Sequence, residues 1–187
     1  ALGQREFENT VYEYQPAVTT MWIISMAMLI YFPEYRGFGQ GYLDYEKGRL
    51  DPFMYSHGQD PLVLLQIARL IQVLSVVALF IVLYYLLQRL IPKLPAAFAV
   101  LIASFDPFFL GQSRLLDHEA MLSLFVVVSL LAFVIYLSQC RKFVFLLISA
   151  IAAGLAQLTK SSAIAMLAPI GVLLLTQIFQ ERQNGIL

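Results

Sequence analysis

Apolar residues run along this chain in long stretches broken by short polar segments. Leu62 to Leu87 is almost wholly apolar, with Gln66, Arg69 and Gln72 near its start. Pro95 to Leu110 follows, carrying Asp106 and Pro107 late, and then come Glu119 to Leu137, Phe143 to Leu158 and Ala163 to Phe179. Crossing about 30 Å of hydrocarbon takes about 20 mostly apolar residues in a helix. A backbone facing lipid must also satisfy its own hydrogen bonds, which leaves helices as the natural form of such runs. The pattern predicts an all-α, polytopic membrane bundle of about five transmembrane helices with short connectors.

The first apolar stretch, AVTTMWIISMAMLIYF at 17–32, is shorter and has Thr19, Thr20 and Trp22 at its front. Trp favours the membrane–water boundary, so a juxtamembrane helix is expected there, with a short span as the alternative. Residues 33–61 are rich in Gly, Pro, Tyr and Asp. They predict an extramembrane loop ordered by its aromatics.

Composition supports the membrane assignment: 60% of the 187 residues are hydrophobic and 13% charged, against about 25% charged in soluble domains. The twelve basic and twelve acidic residues cancel, so no overall field attracts nucleic acid. A single cysteine, Cys140, rules out an intrachain disulfide framework and any CxxC metal site. His57 and His118 form no metal motif, and the glycines of RGFGQGY lack the GK[ST] ending of a phosphate loop. No metal ligand is assigned, and a requirement for a divalent metal is left open. The opening ALGQREFENT carries neither an initiator methionine nor a secretory signal, and QERQNGIL closes just after an apolar run. The expectation is that 1–187 are the N-terminal part of a single transmembrane catalytic domain, cut at both ends.

Basic residues of short loops stay on the cytoplasmic side. Alternating spans put Arg89 and Lys93, Arg141 and Lys142, and Arg182 together on that side. Arg69, Asp106, Arg114, Asp117, His118, Glu119 and Lys160 then gather toward the opposite face, where the rule does not account for them. An ionisable residue within a span costs roughly 2.5–3.5 kcal/mol at its centre, and such residues usually face a bundle interior or a wet cavity. On a continuous helix Arg114 would meet Asp117 at i,i+3 and His118 at i,i+4, so these three are expected to share a face. A plain interfacial salt bridge explains any one of them. Their convergence on one face points instead to a cavity for an anionic, membrane-bound substrate. There a carboxylate such as Asp117 would act as general base toward an acceptor hydroxyl or amine, while Arg and Lys stabilise a phosphate leaving group.

Four stretches resemble the dolichyl-phosphate-mannose-protein mannosyltransferase-like group of the GT-C glycosyltransferases, which includes bacterial aminoarabinose and related lipid A transferases. They are YEYQPAVTTMWI, LQIARLIQVL, FDPFFLGQSRLLDHEAMLSLF and GLAQLTKSSAIAMLAP, in the family's order over residues 10 to 170. The resemblance implies a multi-pass inverting transferase that moves sugar from a polyprenyl-phosphate donor to a protein, lipid or glycan acceptor. It places the reaction on the periplasmic, luminal or extracellular face of a bacterial or archaeal plasma membrane, or of the endoplasmic reticulum in a eukaryote. Carried over by position, Asp117 is the acidic residue of the second external loop, while Arg69, Arg114 and Lys160 are expected to bind the lipid phosphate. Gln15 stands where the family commonly has histidine, and the family's catalytic acidic pair is expected upstream of Ala1. Glu6, Glu8 and Glu13 are read as loop acids.

Two other classes remain. A secondary transporter or flippase would line a path with its buried charges, although no internal repeat is seen. A scaffold would use the aromatic loop to bind a partner.

Overall fold

The computed structural model describes residues 17–37, 50–114 and 116–183. Glu6, Glu8, Glu13, Gln15 and most of RGFGQGY lie outside the described residues. Helix α1 spans Val18–Tyr31, a 3-10 turn Pro33–Gly37, α2 Leu50–Ser56, α3 Pro61–Leu90, α4 Lys93–Ser104 and α5 Pro107–Arg114. Then follow α6 (Glu119–Ile135), which runs on as a π turn at Tyr136–Cys140, α7 (Phe143–Thr159), a 3-10 segment at Ser161–Met166 and α8 (Leu167–Gln183). No strand occurs among the described residues. The fold is the expected all-α bundle.

Local chemistry sets the breaks. Asp60 starts α3 by accepting the Leu62 N–H at 2.9 Å, and Pro61 fills the first turn, where its missing N–H costs nothing. Asp106 precedes Pro107, and the proline ring pushes the residue before it out of helical geometry. The Asp106 Oδ1 then accepts the Phe109 N–H at 2.8 Å and begins a new helix. The apolar stretch Pro95 to Leu110 is therefore two helices, and α4 with its 12 residues rises only about 18 Å. The length and apolarity needed to cross a membrane are met by Pro61–Leu90, Glu119–Gln139 and Ser161–Phe179, while Phe143–Thr159 is a shorter apolar helix beside them.

The centre of the bundle is α6, which packs most extensively on α7 and next on α3. The α6–α7 seam is made of small residues: Ser129 and Ala132 face Ser149, Ala152 and Ala156, all buried. Apolar burial gains little inside a bilayer, so close approach of small residues and interhelical hydrogen bonds hold helices together there. Accordingly the Ser129 hydroxyl donates to the Ser149 carbonyl at 3.0 Å. The outward faces carry exposed Val77, Ile81, Leu147, Ile151, Val172 and Leu175, as lipid contact requires. At one end the Gln139 amide donates to the Arg89 carbonyl, which brings the two basic connectors together as alternating spans demand.

Helix α1 lies at the other end. It starts where Ala17 N–H donates to the Thr159 carbonyl (3.1 Å) and ends where the Tyr31 hydroxyl accepts the Asp60 N–H (3.0 Å). Gln72 touches the start of the α6 segment, so residues 60 to 72 of α3 rise about 18 Å beyond that level. Fourteen residues of α1 rise about 21 Å and cover the same interval. From Gln72 to Leu90, α3 rises about 27 Å, close to one hydrocarbon thickness. Helix α1 therefore flanks the N-terminal part of α3, between the levels of Asp60 and Thr159.

The loop after α1 contains a short helix that the composition did not suggest. In α2 both Phe53 and Met54 are buried against α1 and α3. Phe53 lies 4.6 Å from the His57 ring and 6.2 Å from Phe32, so aromatics order this part of the loop.

Candidate functional site

The site lies where α6 begins and α7 ends, beside the first residues of α1. Before α6 the helix is broken: α5 stops at Arg114, and Leu116 has φ 53°, in the left-handed region. That conformation costs a non-glycine residue roughly 1–2 kcal/mol, so its surroundings must hold it. One such contact is visible. Gln72 of α3, buried to 1% exposure, donates its amide to the Asp117 carbonyl at 3.0 Å and pins the turn to the bundle.

From this turn the ionisable side chains link in series. Asp117 Oδ1 accepts the His118 backbone N–H at 2.7 Å and lies 2.9 Å from His118 Nδ1. His118 Nε2 is buried and has Glu119 Oε1 at 3.7 Å. Glu119 in turn forms an ion pair with Lys160, which follows the last residue of α7. Lys160 is held in extended backbone by its own N–H bond to the Ala156 carbonyl, and the adjacent Thr159 is tied to Thr19 of α1, hydroxyl to hydroxyl at 3.0 Å. Side-chain exposure is 28% at Asp117, 16% at His118, 36% at Glu119 and 23% at Lys160, so the whole series is half-buried at the rim of the bundle.

The expected helical partnership of Arg114 with Asp117 and His118 does not form. The spacing argument assumed a continuous helix, whereas α5 ends at Arg114 and Leu116 is left-handed. Asp117 turns to His118, while Arg114 is exposed and makes no ion pair among the described residues. Arg69 is likewise exposed, one helical turn before Gln72. Of the residues singled out from sequence, the structure brings Asp117 and Lys160 into one cluster and leaves Arg69 and Arg114 on the surface at the same end. His118 and Glu119, placed on that face by the sequence without a role, join the cluster, and Gln72 is added. The signal for Glu119 was available: it and Lys160 each border an apolar run on the same side, where an unpaired charge is costly.

Beside this cluster, α4, α5 and α6 border an open cleft of about 510 Å³ lined by Ile102, Ala103, Asp106, Phe109, Gln112, Glu119, Ala120 and Ser123. Glu119 belongs to both features. Among the described residues no group of three His, Cys, Asp or Glu side chains is placed to hold a metal ion.

A family profile described as dolichyl-phosphate-mannose-protein mannosyltransferase matches residues 64–184. The chain belongs to that family. The match takes in Arg69, Arg114, Asp117, Lys160 and the whole cleft, and begins after α1 and α2. With spanning-length apolar helices, it makes this an integral membrane protein of a glycosyltransferase family of the mannosyltransferase type. No curated protein and no solved structure matches the chain.

Proposed function

We propose that this chain belongs to a transmembrane catalytic domain that transfers a sugar from a polyprenyl-phosphate donor to a protein, lipid or glycan acceptor. The reaction takes place on the extracytoplasmic face. The observation that carries this reading is the Lys160–Glu119 ion pair, joined through His118 to Asp117 at the end of the bundle opposite the basic connectors.

A lysine has three N–H donors. With one on Glu119, two remain for a lipid phosphate, and Glu119 holds the ammonium in place beforehand. The bond that breaks joins the sugar C1 to a phosphate oxygen, which keeps the electron pair; Lys160 stabilises the charge that develops there. The bond that forms joins C1 to the acceptor oxygen or nitrogen, whose proton passes to the Asp117 carboxylate. His118 Nδ1 beside Asp117 Oδ1 orients that carboxylate. Arg69 and Arg114, exposed at the same end, supply further cations to the lipid head group.

A transporter reading finds little support. No charged residue falls between Leu70 and Gln88, Ala120 and Cys140, or Phe143 and Thr159. The helices thus lack the charged path that carries ions or anions across a bilayer.

The test is transfer from a polyprenyl-phosphate sugar by the intact protein in proteoliposomes. Asp117→Asn and Lys160→Ala should each lower transfer at least tenfold. Wild-type rates for both variants would overturn the assignment.

A further inference from the structure

We infer that Thr19 of α1 is a positioning residue for Lys160: by holding the end of α7, it fixes the backbone from which the lysine reaches the lipid phosphate. This rests on the reading of Lys160 given above. It adds a part for α1, an element that precedes the family-matched residues 64–184.

Lys160 stands where the chain leaves α7, in extended backbone (φ −155°, ψ 134°) ahead of the 3-10 segment. A helix end leaves its last carbonyls without intrahelical partners, so it frays unless another group satisfies them. The lysine ammonium also sits at the tip of a flexible four-carbon stem, and a shift of its Cα is carried to the charge. Glu119 restrains that tip. The base of the side chain needs a restraint of its own.

Helix α1 supplies it from 140 residues earlier in the chain. The Ala17 N–H donates to the Thr159 carbonyl at 3.1 Å, and the Thr19 and Thr159 hydroxyls lie 3.0 Å apart. The second bond has a definite direction. A threonine hydroxyl has one proton, and that of Thr159 goes to the Leu155 carbonyl at 2.7 Å, so Thr159 accepts and Thr19 donates. Both side chains are buried, at 3% and 0% exposure, so water does not replace a lost partner there. Ala17 makes its bond at φ 39°, a left-handed conformation that alanine holds only against a restraint.

The neighbouring residue supplies a contrast. Thr20 also has a buried hydroxyl, yet it makes no hydrogen bond among the described residues. Valine at either position keeps the β-branched shape and removes one hydroxyl. Only at Thr19 does the change break a bond to the residue before Lys160.

The experiment measures polyprenyl phosphate binding to the intact protein in nanodiscs, and transfer kinetics in proteoliposomes. Thr19→Val should weaken binding and raise the donor KM about fivefold, the size of one net hydrogen bond, with kcat at saturating donor within twofold of wild type. Thr19→Ser keeps the hydroxyl and should bind as wild type does, as should Thr20→Val. Thr159→Val breaks the same contact from α7 and should reproduce the loss, which keeps the role testable where one variant does not fold. On a Lys160→Ala background Thr19→Val should add less than twofold, because it acts through the lysine. Wild-type affinity in Thr19→Val, an equal loss in Thr20→Val, no recovery in Thr19→Ser, or a full further loss without the lysine would each overturn the positioning role. In those cases weaker binding by Lys160→Ala leaves the phosphate reading standing. Unchanged binding by Lys160→Ala overturns that reading, and the positioning role with it.

Discussion

Glu119 restrains Lys160 and also takes a share of its charge, and the two effects act oppositely on a phosphate. Pairing restricts the long lysine side chain before substrate arrives, which lowers the ordering cost of binding. It also competes for the ammonium protons. A partly exposed pair contributes about 1 kcal/mol or less to stability, so its main influence should be on the site and not on the fold. Glu119→Gln keeps the shape and removes the charge. The expected result is a melting temperature within about 2 °C of wild type with a severalfold change in KM for the donor. In a double-mutant cycle with Lys160→Ala the effects should be non-additive, because both act through one ammonium group. Strict additivity in transfer kinetics would show that the pair is incidental. Gln72 makes a different demand. Removing its amide frees the Asp117 carbonyl and the turn held at Leu116, so Gln72→Ala should lower kcat several-fold while donor KM stays nearly constant. A rise confined to KM would remove Gln72 from the role of positioning Asp117.

At the scale of helices, the strongest association rests on the smallest side chains. Ala156 is fully buried between α7 and its neighbours, and Ile151 on the same helix is 55% exposed. Overpacking a close seam costs about 1–3 kcal/mol. Ala156→Leu should therefore lower the thermal midpoint in detergent by several degrees, while Ile151→Leu leaves it unchanged. An equal effect of both would deny that the α6–α7 seam is close-packed. The apolar runs made the helices legible, because lipid permits little else, and the N-cap at Asp60 was open to reading from the Asp-Pro pair. The break at Phe105–Asp106 was less so: a hydropathy run shows where lipid is tolerated, whereas Pro107 acts on the backbone of the residue before it. A second break, at Leu116, explains the mixed outcome at the site. Lys160 and Asp117 were recognisable as charges with no topological reason to be where they are. Their partners were not, since helical spacing across Arg114 to His118 assumes a regular backbone that Leu116 does not adopt. The pairing of Glu119 with Lys160 joins positions 41 residues apart, a relation that only the packing of α6 on α7 creates.

At the scale of the molecule, the charges sort the bundle into two ends. One end holds Arg89, Lys93, Arg141 and Lys142 in short connectors, drawn together by the Gln139–Arg89 contact. The other holds the Asp117–His118–Glu119–Lys160 series under α1. The basic-loop rule assigns the first end to the cytoplasm, and a lipid-phosphate chemistry needs the second at the opposite head-group layer. These two statements meet in one measurement. With Cys140 replaced by Ser, a cysteine introduced at exposed Ser161 should react with a membrane-impermeant maleimide added outside intact cells. One at Leu94, 68% exposed in the α3–α4 connector region, should react only after permeabilisation. The reverse pattern would put the site in the cytoplasm, where the charge asymmetry would contradict the rule and the donor would have to be presented from the inner leaflet. Labelling of both from outside would break the bundle topology itself, because α3 and α6 could not then each cross between the two ends.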